Sequence, residues 1–349
     1  MKVIKVPTWN VYTVNGSAGF LTPSATGIDP KIENEVICDP IQGNVPDCFF
    51  IAALGSCAWN TTVPRIPYSP PNFAPNFTIP FWWYDKTQLL NLNTVFTYTP
   101  KTVSNTLLLG ANGMPIYAQP TPQNEIWVAI YEKAFAVFAG CPCINGNPDI
   151  SILPTILKPG DALSVLVNLT KKKFSFTTTP LPQTAFKTTD SPPSTFNGQS
   201  CYDYFDIIKT VCIPNAASPS SGKTNKPMVA WTYDTVNLAP PLWQSRGLQY
   251  RNATNNRMLV AQHTYSILGY YTFGGSKYIV LRDPLGTLWT TPQSDTFIRT
   301  YLPPAPSNWD PVQDHSKCTP RDLSAYPCGV FGLRVDAFTG CFSGFGWVQ

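Results

Sequence analysis

The sequence predicts an α+β fold, because two helical patterns in its first half precede alternating strand patterns in its second half. The first helix is predicted from residue 48, where an apolar run without proline follows a loop containing Gly and Pro. The second is predicted between residues 121 and 140. Two strands joined by a Gly-Gly turn are predicted at 261–269 and 278–282. The 349-residue chain can bury a large core, as one two-part domain or as two domains.

The first predicted helix carries a cysteine in its opening turn. Asp47 is expected to cap the helix, and Pro46 keeps the residues before it out of the helix. The thiol of Cys48 then lies at the positive end of the helix dipole, which favours the thiolate. Gln42, six residues upstream, can return its side-chain amide toward the sulfur as an oxyanion donor. The pattern indicates a cysteine nucleophile, with an inert buried cysteine as the alternative.

The second predicted helix is a core helix by its pattern. Thr121 can cap it, and Pro122 suits its first position. Its apolar stripe consists of Ile126, Trp127, Ile130, Ala134, Val137 and Phe138. Gly140 is expected to end it. The following Cys141 and Cys143 have no nearby pair that would complete four ligands, so no metal site is predicted.

A catalytic cysteine needs a base, and the chain has only two histidines, His263 and His315. His263 lies in the first predicted strand of the hairpin, and Asp283 follows the second. The midpoint of these two positions, residue 273, is close to the turn at Gly274-Gly275, so antiparallel pairing brings His263 and Asp283 nearly opposite each other. A carboxylate beside an imidazole is the orienting arrangement of a triad. A structural histidine beside a turn aspartate is the alternative.

Four motifs, in the same order along the chain, resemble the signatures of the calpain family of papain-like cysteine proteases. They are Gln42-Gly43-x-x-x-Asp47-Cys48-Phe49-Phe50-x-Ala52-Ala53, the helix segment 127–136, His263-Thr264-Tyr265-Ser266 and Arg282-Asp283-Pro284-Leu285-Gly286. The resemblance spans roughly Gln42 to Phe338. Among the departures of the chain from the family pattern are Pro46 and Gln262 in place of Gly, Phe49 and Leu285 in place of Trp, and Asp283 in place of Asn.

The resemblance implies a papain-like, two-lobed cysteine protease fold with the active-site cleft between the lobes. A helical lobe, expected over residues 1–160, carries the nucleophile, and a β-rich lobe, expected over 161–349, carries the His/Asp pair. The implied roles are nucleophile for Cys48, base for His263, orienting group for Asp283 and oxyanion donor for Gln42.

The predicted function is that of a calpain-like cysteine endopeptidase, which hydrolyses a protein or peptide substrate through an acyl-enzyme on Cys48. Two alternatives remain. One is another thiol-dependent acyl transfer, such as peptide ligation or transglutamination, because Cys-His-Asp is also the residue set of transglutaminases. The other is a degenerate protease that acts as a binding module, which is favoured only by Pro46, Gln262 and Leu285.

Calcium is a possible cofactor by resemblance, because calcium ions bound in the calpain core help to align the two lobes. We expect no cofactor to be required. No Asp/Asn-rich segment matches an EF-hand loop, and we expect no regulatory domain beyond the core. Leu285 also replaces the Trp that, in the family, can wedge the calcium-free site apart.

The composition excludes some partners and leaves the compartment open. A net charge of +4, without a dense basic cluster beyond residues 171–173, gives no indication of nucleic-acid binding. No apolar run reaches the roughly 18 residues of a membrane span. No signal peptide is visible, which favours the cytoplasm unless a leader was already removed, whereas 13% charged residues and Asn-x-Ser/Thr triplets such as those at Asn76 and Asn252 favour an extracellular protein. The oligomeric state and the pairing of the ten cysteines stay open.

Overall fold

The computed structural model describes residues 40–43, 45–60, 76–85, 94–104, 106–107, 116–118, 127–144, 147–178, 195–196, 199–215, 218–232, 248–249, 259–260, 262–273, 275–286, 329–335, 338 and 342–349. The described α-helices are α1 (Cys48–Trp59), α2 (Trp127–Phe138), α3 (Leu153–Ile156), α4 (Ala162–Thr170) and α5 (Cys201–Thr210). Two 3₁₀ turns, Ile150–Ile152 and Pro159–Asp161, precede α3 and α4.

The strands described fall into one large sheet and several two-stranded ladders. The ladders pair β1 (Asn76–Ile79) with β4 (Lys101–Ser104), β2 (Trp82–Tyr84) with β3 (Phe96–Tyr98), β5 (Cys143–Ile144) with β6 (Asn147–Pro148), β8 (Thr195–Phe196) with β9 (Gln199–Ser200), and β13 (Leu248–Gln249) with β14 (Leu259–Val260). The large sheet contains β7 (Phe174–Thr178), β10 (Cys212–Asn215), β11 (Ser218–Thr224), β12 (Met228–Thr232), β15 (Thr264–Phe273), β16 (Ser276–Arg282), β17 (Val330–Arg334) and β18 (Phe342–Val348).

The eight-stranded sheet is antiparallel and is organised around β15. Its path runs β10-β11-β15-β12-β18-β7, and β16 pairs with both β15 and β17. One long strand thus pairs with three others, which fixes the backbone that follows His263. The predicted hairpin is confirmed, with β15 and β16 meeting at the pair Phe273 and Ser276.

Both predicted helices are confirmed within the residues described. Every residue of α1 is buried, as its apolar sequence predicts. The α2 helix is described from Trp127, whereas the predicted cap at Thr121 and residues 122–126 lie outside the described residues. Gly140 follows α2 with φ +88°, a left-handed conformation that favours glycine and ends the helix as expected.

Two hydrophobic clusters make up most of the core. One gathers α1, α2 and α4 with β1 and β2, and the other gathers α5 with the inner face of the large sheet. The α+β prediction is therefore confirmed. The α4 helix packs into the helical cluster although it follows residue 160.

Polar contacts fasten one face of α1 to the large sheet. Ala52, Ser56 and Trp59 lie four and three residues apart, on one side of the helix. The Ser266 hydroxyl donates to the Ala52 carbonyl at 2.7 Å, and the Trp59 indole N–H donates to the Leu268 carbonyl at 2.9 Å. Between them, the Ser56 hydroxyl donates to the carbonyl of Met228 and accepts from its N–H. These contacts fix the helix that begins at Cys48 to the strand that begins beside His263.

Within the described segments, no single helix has both the length and the apolar character needed to cross a membrane. The stretches Ile150–Ile156 and Pro159–Thr170 reach that length and composition only together, and they are bent by 96°.

Candidate active site

Cys48 begins α1 and is 4% exposed, at the position that the sequence predicts. The residue before it behaves differently from the prediction. Asp47 occupies the N-cap position, but its side chain makes no capping hydrogen bond. Instead, the carboxyl group is fully buried within reach of Glu132 on α2. The expected capping role of Asp47 is therefore wrong, because the side chain turns toward α2 rather than toward the helix N–H groups.

The loop that carries Gln42 is held by the segment around Asp283. The Gln42 N–H donates to the Pro284 carbonyl at 2.7 Å, and the buried Arg282 guanidinium donates to the Pro40 carbonyl at 2.6 Å. The Gln42 side chain is buried, and its amide nitrogen donates to the Val45 carbonyl at 2.6 Å. One amide hydrogen is thus used to shape the loop, and the side-chain Oε1 receives no donor from the described residues.

His263 is fixed by its backbone to the end of β12. Its N–H donates to the Thr232 hydroxyl at 3.0 Å, and its carbonyl accepts from the Thr232 N–H at 2.9 Å. The imidazole is 5% exposed and lies edge-on to the Tyr265 ring, with 5.0 Å between the ring centroids. These contacts fix the backbone at His263 and place its ring against Tyr265, and the orientation of the ring then depends on a hydrogen-bond partner.

Asp283 is that partner. Its Oδ1 lies 3.0 Å from Nε2 of His263 and also accepts the Leu285 N–H at 2.9 Å. The observed register differs slightly from the predicted one. Ser266 pairs with Arg282, so continuation places Asp283 opposite Tyr265, two positions from His263. Residues two apart in a strand share a face, so a diagonal contact replaces the direct one. The other histidine, His315, lies outside the described residues.

The backbone of Gly329 packs directly against that of Asp283. The Asp283 N–H donates to the Gly329 carbonyl at 2.9 Å, and a Cβ on Gly329 would lie 2.6 Å from the Asp283 carbonyl oxygen. Gly329 also has φ +73°. Only glycine satisfies both the left-handed backbone and the close approach, so this position fixes the carboxylate that faces His263.

Both Cys48 and Asp283 affect the pKa of the His263 imidazole. Burial by itself lowers the pKa of His263. The negative charge of Cys48, the charge of Asp283 and hydrogen bonds to both outweigh burial and raise that pKa to about 10. Since Nε2 faces Asp283, Nδ1 is the ring nitrogen left for the thiol. The imidazole of His263 therefore lies between the Cys48 thiol and the Asp283 carboxylate.

The sequence motifs alone did not indicate several of these contacts. Glu132 lies in a stretch of α2 that is buried from Trp127 to Ala136. A charged residue inside an otherwise apolar helix face is unusual, and this is the sequence feature that could have indicated a buried carboxyl group. Nothing in the sequence pairs it with Asp47, or Arg282 with Pro40. Gln262, directly before His263, adopts φ +53°, where the family has Gly. In the part of the chain that the structure describes, no group of three His, Cys, Asp or Glu side chains could hold a metal ion.

A thiol at a helix start, followed by a buried imidazole and a carboxylate, is the arrangement of thiol-dependent hydrolases and acyl transferases. Comparison with known proteins narrows this class. Residues 28–143 match the model of the calpain family cysteine proteases, so the chain carries a calpain-family domain there, and the predicted resemblance is confirmed. That domain implies a papain-like cysteine protease fold. The match contains Cys48 and Gln42 but not His263 or Asp283.

Individual calpains show the same partial similarity. The chain is 31% identical to calpain-5 of Mus musculus over an alignment 126 residues long, which covers 32% of this chain and 18% of that protein. It is 32% identical to calpain-5 of Rattus norvegicus over 126 residues, with the same shares covered. With calpain-B of Drosophila melanogaster the identity is 29% over 128 residues, or 35% of this chain and 12% of that protein. The chain thus matches less than a fifth of the length of these relatives.

Proposed function

We propose that the protein is a cysteine endopeptidase that hydrolyses peptide bonds of protein or peptide substrates through an acyl-enzyme on Cys48. One observation carries the proposal. His263 is hydrogen-bonded to the Asp283 carboxylate on one side, and Cys48 lies close enough on the other side to raise the imidazole pKa. This array forms from residues 215 and 20 positions apart, from Cys48 to His263 and from His263 to Asp283. The calpain-family domain around Cys48 supports the same reaction class.

In the proposed reaction, the Cys48 thiolate attacks the substrate carbonyl, and the Cys48 N–H and the second amide N–H of Gln42 stabilise the oxyanion. The His263 imidazolium then protonates the leaving amine. Neutral His263 next takes a proton from water, which hydrolyses the acyl-enzyme. Asp283 holds the ring in place through both steps, because its Oδ1 is itself fixed by the Leu285 N–H.

We also propose the two-lobed arrangement, with the helical cluster and the sheet cluster as the lobes. The start of α1 carries Cys48 from one cluster, and the β15–β16 hairpin presents His263 and Asp283 from the other. The division into residues 1–160 and 161–349 remains part of this proposal. The α4 helix is the exception, since it belongs to the second range but packs with α1.

The deciding experiment is mapping of thiol alkylation together with peptide cleavage. Iodoacetamide at limiting concentration and neutral pH is expected to label Cys48 before other described thiols. The exposed Cys143 is the comparison thiol, and burial raises the pKa of Cys141 to about 11 and of Cys212 to about 12. Cys48→Ala is expected to abolish cleavage of a denatured protein, whereas Cys143→Ala is expected to leave cleavage intact.

Three results would separate the alternatives. Retained cleavage by a folded Cys48→Ala variant would eliminate this nucleophile. Incorporation of an added primary amine into the product, in place of water, would identify an acyl transferase instead of a hydrolase. Slow alkylation of Cys48, no faster than that of Cys143, together with no cleavage, would identify a degenerate site that only binds peptides.

A further inference from the structure

Two buried carboxyl groups meet at the start of α1. Asp47 precedes Cys48, Glu132 lies on α2, and both residues are 0% exposed. Glu132 Oε2 accepts the Ala118 N–H at 2.5 Å. The three other carboxyl oxygens, Asp47 Oδ1 and Oδ2 and Glu132 Oε1, receive no donor from the described residues. Two ionised carboxylates in this position would bear a desolvation cost that only the Ala118 N–H offsets.

One proton between the two groups removes most of this cost. A protonated Glu132 can donate its O–H to the Asp47 carboxylate, which lies within hydrogen-bond reach. Burial, and then the charge of Asp47, raises the pKa of Glu132 well above its ordinary value. Burial raises the pKa of Asp47 only to about 6, because the hydrogen bond from Glu132 opposes it. Near neutral pH the pair therefore holds one proton and one negative charge.

Among the residues that the structure describes, neither Lys133 nor Tyr117 supplies a counter-charge to the pair. Lys133, the next residue of α2, donates to the Ser104 and Thr106 carbonyls at 3.0 and 2.7 Å instead. Tyr117 lies on the segment that binds Glu132, and burial raises its pKa well above 10, so it is neutral. The shared proton thus lowers the free-energy cost of burying the two carboxyl groups.

We propose that Asp47 and Glu132 are a positioning pair, which shares one proton and fixes the backbone of Cys48 for acyl transfer. The Asp47 carbonyl accepts the N–H groups of Phe50 and Ile51 at 2.8 and 3.3 Å, so an Asp47 side chain anchored on α2 fixes the peptide that bears the Cys48 N–H.

Glu132 also supports the Gln42 loop. It binds the Ala118 N–H, and the neighbouring Tyr117 carbonyl packs so closely on Gly43 that a Cβ there would lie 2.1 Å from its oxygen. The pair therefore underlies both proposed oxyanion donors, the Cys48 N–H and the Gln42 amide. The kinetic part of this inference rests on the proposed function, whereas the protonation part does not.

Proton linkage tests the shared proton. Glu132→Gln keeps an acceptor for Ala118 and a donor for Asp47 but cannot ionise. A carboxyl group whose pKa is higher in the folded than in the unfolded protein contributes folding stability at low pH, and this contribution is lost as pH rises. Above about pH 6, where Asp47 is ionised, the folding constant of the wild type is expected to fall about tenfold per pH unit relative to Glu132→Gln. Urea unfolding across neutral pH measures this difference, and parallel pH dependences would overturn the shared proton.

Catalytic and alkylation rates test whether the Asp47–Glu132 pair positions Cys48. Glu132→Gln is expected to keep kcat and the rate of Cys48 alkylation, whereas Glu132→Ala is expected to lower kcat about 10- to 100-fold with KM unchanged. Lys133→Gln is the control, because it removes buried hydrogen bonds of α2 without touching the carboxyl pair. Loss of kcat in Glu132→Gln, or a fully active Glu132→Ala, would overturn the proposal. If the wild type alkylates rapidly but cleaves nothing, the proposed function fails while the linkage experiment still decides this inference.

Discussion

Asp283→Asn separates the charge of the orienting residue from its hydrogen bonds. In the wild type, Asp283 Oδ1 accepts from the His263 ring at 3.0 Å and from the Leu285 N–H at 2.9 Å. An asparagine Oδ1 can accept both bonds with the same geometry. The substitution therefore preserves the orientation of the ring and removes one negative charge beside it. We expect substantial activity to remain, with a changed pH dependence.

The expected shift in pH dependence can be estimated from the groups that set the pKa of His263. Burial lowers its pKa, while Cys48 and Asp283 together raise it from 6.5 to about 10. An opposite charge at hydrogen-bond distance accounts for about 1–3 pKa units, or about 1.4–4 kcal/mol. The thiolate–imidazolium pair exists below the imidazolium pKa. Removing the Asp283 charge is therefore expected to move the alkaline limb of activity down by about 1–3 pH units.

The assay is the dependence of kcat/KM on pH, with the rate of Cys48 alkylation as a second readout. The two limbs belong to the coupled Cys48–His263 pair rather than to either residue. Asp206→Asn is the matched control, because it makes the same change in a surface ion pair with Lys277 at 3.4 Å. Asp283→Ala is expected to lose much more activity, since nothing then holds the ring. An unmoved alkaline limb in Asp283→Asn, or full activity in Asp283→Ala, would refute the assignment of Asp283.

The pH dependence of the unfolding free energy is expected to depend on the same Asp283 charge. A histidine whose folded pKa is raised contributes stability that is fully present below pH 6.5 and is lost as pH rises toward about 10. In Asp283→Asn this alkaline loss is expected to be smaller and to end at lower pH. Urea unfolding at a series of pH values measures it, and an identical alkaline loss in wild type and variant would contradict the predicted shift.

Three further predictions concern the surroundings of the site. Gly329→Ala is expected to lose more stability and activity than Gly275→Ala, because both have φ above +70° but only the Gly329 Cβ would collide with the Asp283 carbonyl; equal losses would contradict the close-contact argument. Gln262→Gly is expected to raise the unfolding free energy by up to about 1.5 kcal/mol, since the left-handed backbone costs a non-glycine residue about 1–2 kcal/mol and the greater flexibility of glycine in the unfolded chain costs about 0.5–1 kcal/mol; a clear loss of stability would mean that the side-chain contacts of Gln262 outweigh the strain. Cleavage is expected to persist in excess chelator, because Leu285 replaces the wedging Trp; activity that disappears and returns with added calcium would show that a calcium site is required.

Local sequence was sufficient to predict the elements that carry the proposed nucleophile and base. The α1 helix begins at Cys48 because an unbroken apolar run follows Pro46, and its burial follows from its composition. The β15–β16 hairpin follows from alternation around glycines. Both patterns involve neighbours in sequence, where periodicity and turn residues determine the backbone.

The tertiary structure decided which side chains meet. A register shift at Leu268 in β15 sets the alignment at the open end of the hairpin, so Asp283 reaches His263 diagonally. Asp47 reaches Glu132, 85 positions away, rather than the N–H groups of its own helix. Arg282 holds Pro40 across 242 positions. The chain by itself thus determines its helices, its hairpin and its candidate residues. The pairing of those residues depends on how buried surfaces pack, because a buried charge or donor takes whichever partner the packed core brings within reach.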